Sequence, residues 1–129
     1  MSIRTPLARA RGLGAASEGA DHFWKKTVTS VALVPLAVWF IWSLIGLAWK
    51  PYEAAIDFVA KPQNTIFLLL FITVGFAHFR MGLHSVIDDY IHDRAYKIVA
   101  LILNDFFCVV MGMICVLSVL KVFILAIPA

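Results

Sequence analysis

Three stretches of apolar sequence, at about Val28–Trp49, Thr65–Ile87 and Ile98–Ile127, restrict this chain more than any other feature. Each exceeds the roughly 20 residues that a helix needs to cross about 30 Å of hydrocarbon. They are continuously apolar and lack the alternation of barrel strands, so helices are the expected spanning form. The polar segments between them are short: Lys50–Asn64 carries Pro51, Glu53, Asp57, Lys61 and Pro62, and Asp88–Lys97 is rich in charge. Neither has room for a soluble domain. The sequence therefore predicts an all-α membrane protein, with residues 1–26 as an N-terminal arm and residues 27–129 as a domain of three transmembrane helices. Pro35 falls inside the first span, where packing against neighbouring helices tolerates a kink.

Composition agrees. Of 129 residues, 62% are hydrophobic and only 15% charged, against about 25% charged in soluble domains, and a globule this small has too little interior to hide the excess. Two cysteines are too few for a disulfide framework or a four-cysteine zinc site. The net charge of +3 does not point to nucleic acid as a partner, because the basic residues gather at the start of the chain. Arg4, Arg9, Arg11, Lys25 and Lys26, with Arg94 and Lys97 in the second connection, stand against Lys50 and Lys61, which is seven against two. By the positive-inside rule the N-terminus and second connection lie in the cytoplasm and the C-terminus in the periplasm. Met1–Ala20 has the Arg-bearing, acid-poor character of a transit peptide but no apolar h-region, so a mostly extended cytoplasmic arm is expected. His22, Phe23 and Trp24 mark one membrane boundary; Trp49 and Tyr52 mark the other.

Polar residues inside a span are costly and point to function or to specific packing. In the second span, Gly75, His78, Gly82, Ser85 and Asp89 follow one another at spacings of three and four, forming one narrow stripe. Arg80 and His84 lie about 160° and 120° around the helix from His78 and serve other neighbours. His78 sits about 20 Å along the helix from Thr65 and about 15 Å from Asp88, near mid-membrane. Two readings of it stand open. In one, its imidazole ligates a metal and Gly82, a turn further on, makes room for a flat ligand such as a porphyrin. In the other, it is a hydrogen-bonded core histidine and Gly82 permits close helix packing. A six-coordinate haem would take its other axial ligand from another chain, since no histidine lies at like depth in the other spans, or from Met111 or Met113 in the third. Asp89 and Tyr90 close the helix either as interfacial anchors or as a carboxylate and phenol pair suited to a quinone carbonyl and its protons. In the third span, Asn104 and Asp105 precede a seam of Cys108, Gly112 and Cys115; Asp105 should lie about two turns below the surface, within reach of Arg80 or His84 as a structural ion pair. The two cysteines, about 10 Å apart on one helix, cannot bridge and read as packing residues.

The stretch His78-Phe-Arg-Met-Gly82-Leu-His-Ser-Val-Ile-Asp-Asp89-Tyr90 resembles the second-helix signature of the succinate dehydrogenase hydrophobic membrane anchor family, part of complex II, in its alphaproteobacterial and mitochondrial type. The helix entry running from His22-Phe-Trp-Lys-Lys to Pro35-Leu36 is similar as well. The resemblance implies a three-helix anchor packed with a sister three-helix subunit in the bacterial inner membrane. It also implies that His78 is one axial ligand of a haem b shared with the sister anchor subunit, with Gly82 packing on the haem. Tyr90 would bind ubiquinone as substrate and Asp89 would support that site, with Ser85, Arg80 and Asp105 as further supporting residues. Partners would be the sister anchor subunit, the iron–sulfur subunit, the flavoprotein subunit and membrane lipid. Electrons from succinate, in the tricarboxylic acid cycle, would reach the respiratory chain through this complex. The family often has an arginine where this chain has Lys25-Lys26, and His84 lies outside the signature.

The chain carries no flavin or nucleotide motif and too few cysteines for an iron–sulfur cluster. It is expected to hold and tune cofactors within an enzyme and not to catalyse alone. The alternative is a small proton- or ion-conducting subunit, or a purely structural one, in which the stripe lines a path or forms a seam.

Overall fold

The computed structural model describes Leu7 and residues 16–126. They form α1 (Ala16–Leu47), a short α2 (Tyr52–Ala60), α3 (Pro62–Tyr90) and α4 (Arg94–Ala126). Three segments are long and apolar enough to cross a membrane: Phe23–Leu47, Pro62–Tyr90 and Arg94–Ala126. Their length and composition make this an integral membrane protein.

α3 is the central helix. One face meets α1, through Phe40 stacked on Phe71 with ring centroids 4.6 Å apart and Trp39 against Phe67 at 5.1 Å. The opposite face meets α4, where a Cβ added to Gly112 would stand 3.5 Å from the Phe76 ring. That is ordinary van der Waals distance, so Phe76 packs on α4 at a position where a small residue is accommodated. Successive long helices run antiparallel, so Lys25, Lys26, Arg94 and Lys97 share one end of the bundle and Lys50 and Lys61 the other. The charge asymmetry of the sequence is thereby an asymmetry between the two ends of the fold.

Three boundaries differ from the sequence expectation. Residues 16–26 of the arm are helical, not extended, and continue into the first span; Asp21 and Lys25 pair at 2.6 Å with i,i+4 spacing, a local support for this turn. The remainder of the arm, apart from Leu7, and the last three residues lie outside the described residues. The second connection shrinks to residues 91–93, because the helices outrun the apolar stretches at both sides. Asp93 accepts the backbone N–H groups of Ala95 and Tyr96 at 2.9 and 3.2 Å, capping α4 ahead of its apolar run. Lys97 reaches back to Asp88 at 2.8 Å and closes the turn.

The third difference is α2, inside what reads as a polar connection. Pro51 starts it at φ −64°, and Lys61, held extended at φ −75° and ψ 122° by the following proline, ends it. Pro62 then opens α3, where its missing N–H costs nothing. Thr65 and Asn64, at the start of α3, donate to the Val59 and Phe58 carbonyls at 2.5 and 2.8 Å, satisfying acceptors that a helix end leaves orphaned.

Among the described residues only Thr65, Leu68, Asn104 and Cys108 are buried. Three helices cannot enclose a core, and apolar side chains facing lipid need none.

Candidate functional site

The expected polar stripe divides between a packed part and an exposed end. Gly75 and Ser85 face α1: a Cβ on Gly75 would meet Leu33 at 4.0 Å, and Lys26 Nζ lies 3.4 Å from Ser85 Oγ. His78 stands between them on the same face. Its Nδ1 is 3.1 Å from Thr29 Oγ1 and 3.5 Å from Ser30 Oγ, both on α1. The imidazole is half-buried and held from one side. Gly82 differs from its neighbours, since an added Cβ would meet nothing within 4 Å. Close packing inside this chain is therefore not the reason for a glycine there.

Asp89 and Tyr90, at the end of α3, are exposed, with 80% of Tyr90 accessible. They lie about 16 and 18 Å along the helix from His78.

Arg80 and His84 turn away from the stripe, as their angular positions require. Arg80 meets Asp105 on α4 through two bonds, Nε to Oδ1 and Nη2 to Oδ2, each 2.6 Å. This side-on, two-point pairing of planar groups is stronger and more directional than a single contact. Asn104 adds a bond to the Arg80 carbonyl at 3.2 Å and accepts the Cys108 thiol at 3.6 Å. Asp105 is about 16 Å along α4 from Arg94, where the helix begins, and about two turns from Ile98, where its apolar run begins. His84 lies 3.2 Å from Asp88, which also takes Lys97. Spacing along the stripe does not single out Asn104 and Asp88; an Asn-Asp pair in an otherwise apolar run, and a carboxylate four residues after a histidine, are the signals the sequence offers for them.

A second ligand from within the chain is not supported. Met111 lines a groove with Phe71, Phe76, Phe79 and Phe107, and Met113 one with Phe76, Ala77 and Arg80. His78 borders neither. Among the described residues no group of three His, Cys, Asp or Glu side chains is arranged to hold a metal ion. A single imidazole can therefore contribute to a metal centre only as one ligand of a set completed elsewhere.

The chain matches the family described as succinate dehydrogenase/fumarate reductase transmembrane subunit over residues 1–124. It is 34% identical over 97 residues to the succinate dehydrogenase hydrophobic membrane anchor subunit of Paracoccus denitrificans, covering 75% of each chain. It is 27% identical over 111 residues to the subunit of that name in Rickettsia conorii, covering 84% of this chain and 86% of the relative. No solved structure matches.

Proposed function

The chain belongs to the succinate dehydrogenase/fumarate reductase transmembrane subunit family, and from that premise we propose that it is the hydrophobic membrane anchor of a succinate:ubiquinone oxidoreductase, complex II. It lies in the bacterial cytoplasmic membrane with its N-terminus in the cytoplasm. It passes electrons from succinate to ubiquinone together with a sister anchor, an iron–sulfur subunit and a flavoprotein subunit. This reading is supported by the placement, on the central helix of a family member, of an imidazole near the middle of that helix and a phenol with a carboxylate at its charged end.

The residues present fit a shared haem b. The Thr29 hydroxyl is within hydrogen-bond distance of Nδ1, which leaves Nε2 as the ligating nitrogen of His78. One turn on, the space beside Gly82 would be taken by any side chain. When bound, the haem supplies a one-electron iron couple close to the quinone end of the electron path. This chain's part is to offer one imidazole, hold its plane from α1, and keep the surroundings apolar. The other ligand would come from the sister anchor.

At the other end, the Tyr90 hydroxyl donates a hydrogen bond to a ubiquinone carbonyl oxygen. Asp89 beside it stabilises the protons that arrive as the quinone is reduced. Their exposure in the isolated chain suits a site whose remaining walls belong to other subunits. An ion path along the stripe is less well supported, because His78 and Ser85 are engaged with Thr29, Ser30 and Lys26 of α1.

Tyr90→Phe tests the quinone role. The variant complex should reduce ubiquinone with succinate roughly 10- to 100-fold more slowly, the scale of losing one positioned donor, while electron transfer from succinate to a soluble artificial acceptor stays at the parental rate. Equal loss of both activities would show that Tyr90 serves assembly instead.

A further inference from the structure

We infer that Thr29, backed by Ser30, is a positioning residue for the iron ligand: its hydroxyl oxygen accepts the Nδ1 proton of His78 and so fixes the tautomer in which Nε2 carries the free lone pair. The inference rests on the haem reading above and concerns residues of α1 that the His–Gly–Asp–Tyr signature does not contain.

A hydroxyl beside an imidazole nitrogen can act in either direction, and the two directions have opposite consequences. If Thr29 donated to Nδ1, the ring proton would sit on Nε2 and that nitrogen could not bind a metal. The surroundings of the hydroxyl decide the direction. Thr29 Oγ1 has one proton and lies 3.0 Å from the Lys25 carbonyl and 2.9 Å from the Lys26 carbonyl of its own helix. Ser30 has the same arrangement, with Oγ 2.8 Å from the Lys26 carbonyl. Both hydroxyl protons are thus engaged by α1 carbonyls, the usual pattern for these residues inside a helix. What both oxygens present to His78 is lone pairs. Thr29, at 3.1 Å, is the closer acceptor, and Ser30, at 3.5 Å, stands at the limit of bonding.

Two effects follow. The bond sets the orientation of the ring about its own axis, because it ties one edge to α1 while the other edge faces away. It also draws the Nδ1 proton toward oxygen, which raises the basicity of Nε2 and favours ferric over ferrous iron. Outer partners of metal-bound histidines act in this way generally. A hydroxyl acceptor does so more gently than a carboxylate, and it adds no charge to mid-membrane, where a charge would be costly.

The test uses the assembled complex and reads the haem potential by spectroscopic redox titration, a quantity that a merely structural role would not move in a set direction. Thr29→Val keeps the shape and removes the acceptor; Thr29→Ser keeps the acceptor; Thr29→Val/Ser30→Ala removes the reserve acceptor too. The double variant should titrate at a higher potential, with the reduced-to-oxidised ratio at fixed poise raised by up to about tenfold, the lower end of outer-partner effects. Thr29→Ser should titrate close to the parental complex. If the variants lacking an acceptor retain no haem, retention by Thr29→Ser supports the inference and equal loss in Thr29→Ser overturns it. A double variant with the parental potential also overturns it, leaving the haem reading intact. A His78→Ala complex that keeps an unaltered haem would overturn both.

Discussion

Arg80→Ala should lower the yield of assembled, detergent-extracted protein sharply and destabilise what remains by about 3 kcal/mol, the scale of an unpaired charge in the centre of a membrane helix. The reason is the company Arg80 keeps. It forms a two-point pair with Asp105 about 15 Å below the charged end of α3, in a segment with few other polar groups. Truncating the arginine removes both hydrogen bonds to the Asp105 carboxylate and leaves it without its directly bonded cation. Asp105→Ala should do comparable harm from the other side. Arg80→Met combined with Asp105→Leu removes both charges and is expected to recover most of the loss, since replacing a whole ion pair by apolar groups is far cheaper than halving it. Thermal unfolding of the purified complex in detergent, followed by light scattering, separates the cases. If the two single variants and the double variant unfold alike, the pair contributes no coupling between α3 and α4. In the chain alone, 49% of the Arg80 side chain and 39% of Asp105 remain exposed. A half-covered ion pair at this depth is more comfortable against a neighbouring subunit or a polar lipid group than against acyl chains.

The second large effect belongs to His78. Under the proposed shared haem, His78→Ala should abolish the reduced-minus-oxidised b-type band of the complex, since neither Met111 nor Met113, which border other grooves, is placed to take over as ligand. Gly82→Leu tests the same site by bulk instead of chemistry. A Cβ at Gly82 would meet nothing within 4 Å in this chain, so the position has room for a side chain to begin. Loss of haem in Gly82→Leu, with the three-helix chain still folded and inserted, would locate the haem beside that turn. A haem band retained in both variants would remove this helix from the site.

Much of the fold was legible because membrane solvent simplifies the problem. A continuous apolar run of more than 20 residues has one economical answer, and the three spans follow at once. Angular placement on α3 was legible for the same reason: the separation of His78 from Arg80 by about 160° predicts opposite neighbours, and the structure gives α1 to one and α4 to the other. Helix ends were harder. Hydropathy reports where lipid stops, whereas helices stop where caps and prolines act, which is why Asp93, Pro51 and Pro62 set the true limits. The helical stretch before the first span and α2 were both hidden by polar sequence that favours a helix without resembling a span. Of the site, His78 and its face could be read from spacing. Thr29 and Ser30 could not, since nothing in a linear sequence tells which residues of α1 come level with His78. That register is set by packing of Trp39 and Phe40 against Phe67 and Phe71.

Whether this chain anchors a succinate:ubiquinone oxidoreductase can be measured directly. The most direct measurement is purification of the complex from membranes through a tag on this chain, followed by succinate-dependent ubiquinone reduction on the purified material. The predicted result is co-purification of a flavoprotein, an iron–sulfur protein and a second small membrane subunit, with quinone reduction that requires all four. Recovery of the chain without a flavoprotein, or in an assembly that cannot pass electrons from succinate to ubiquinone, would contradict this assignment.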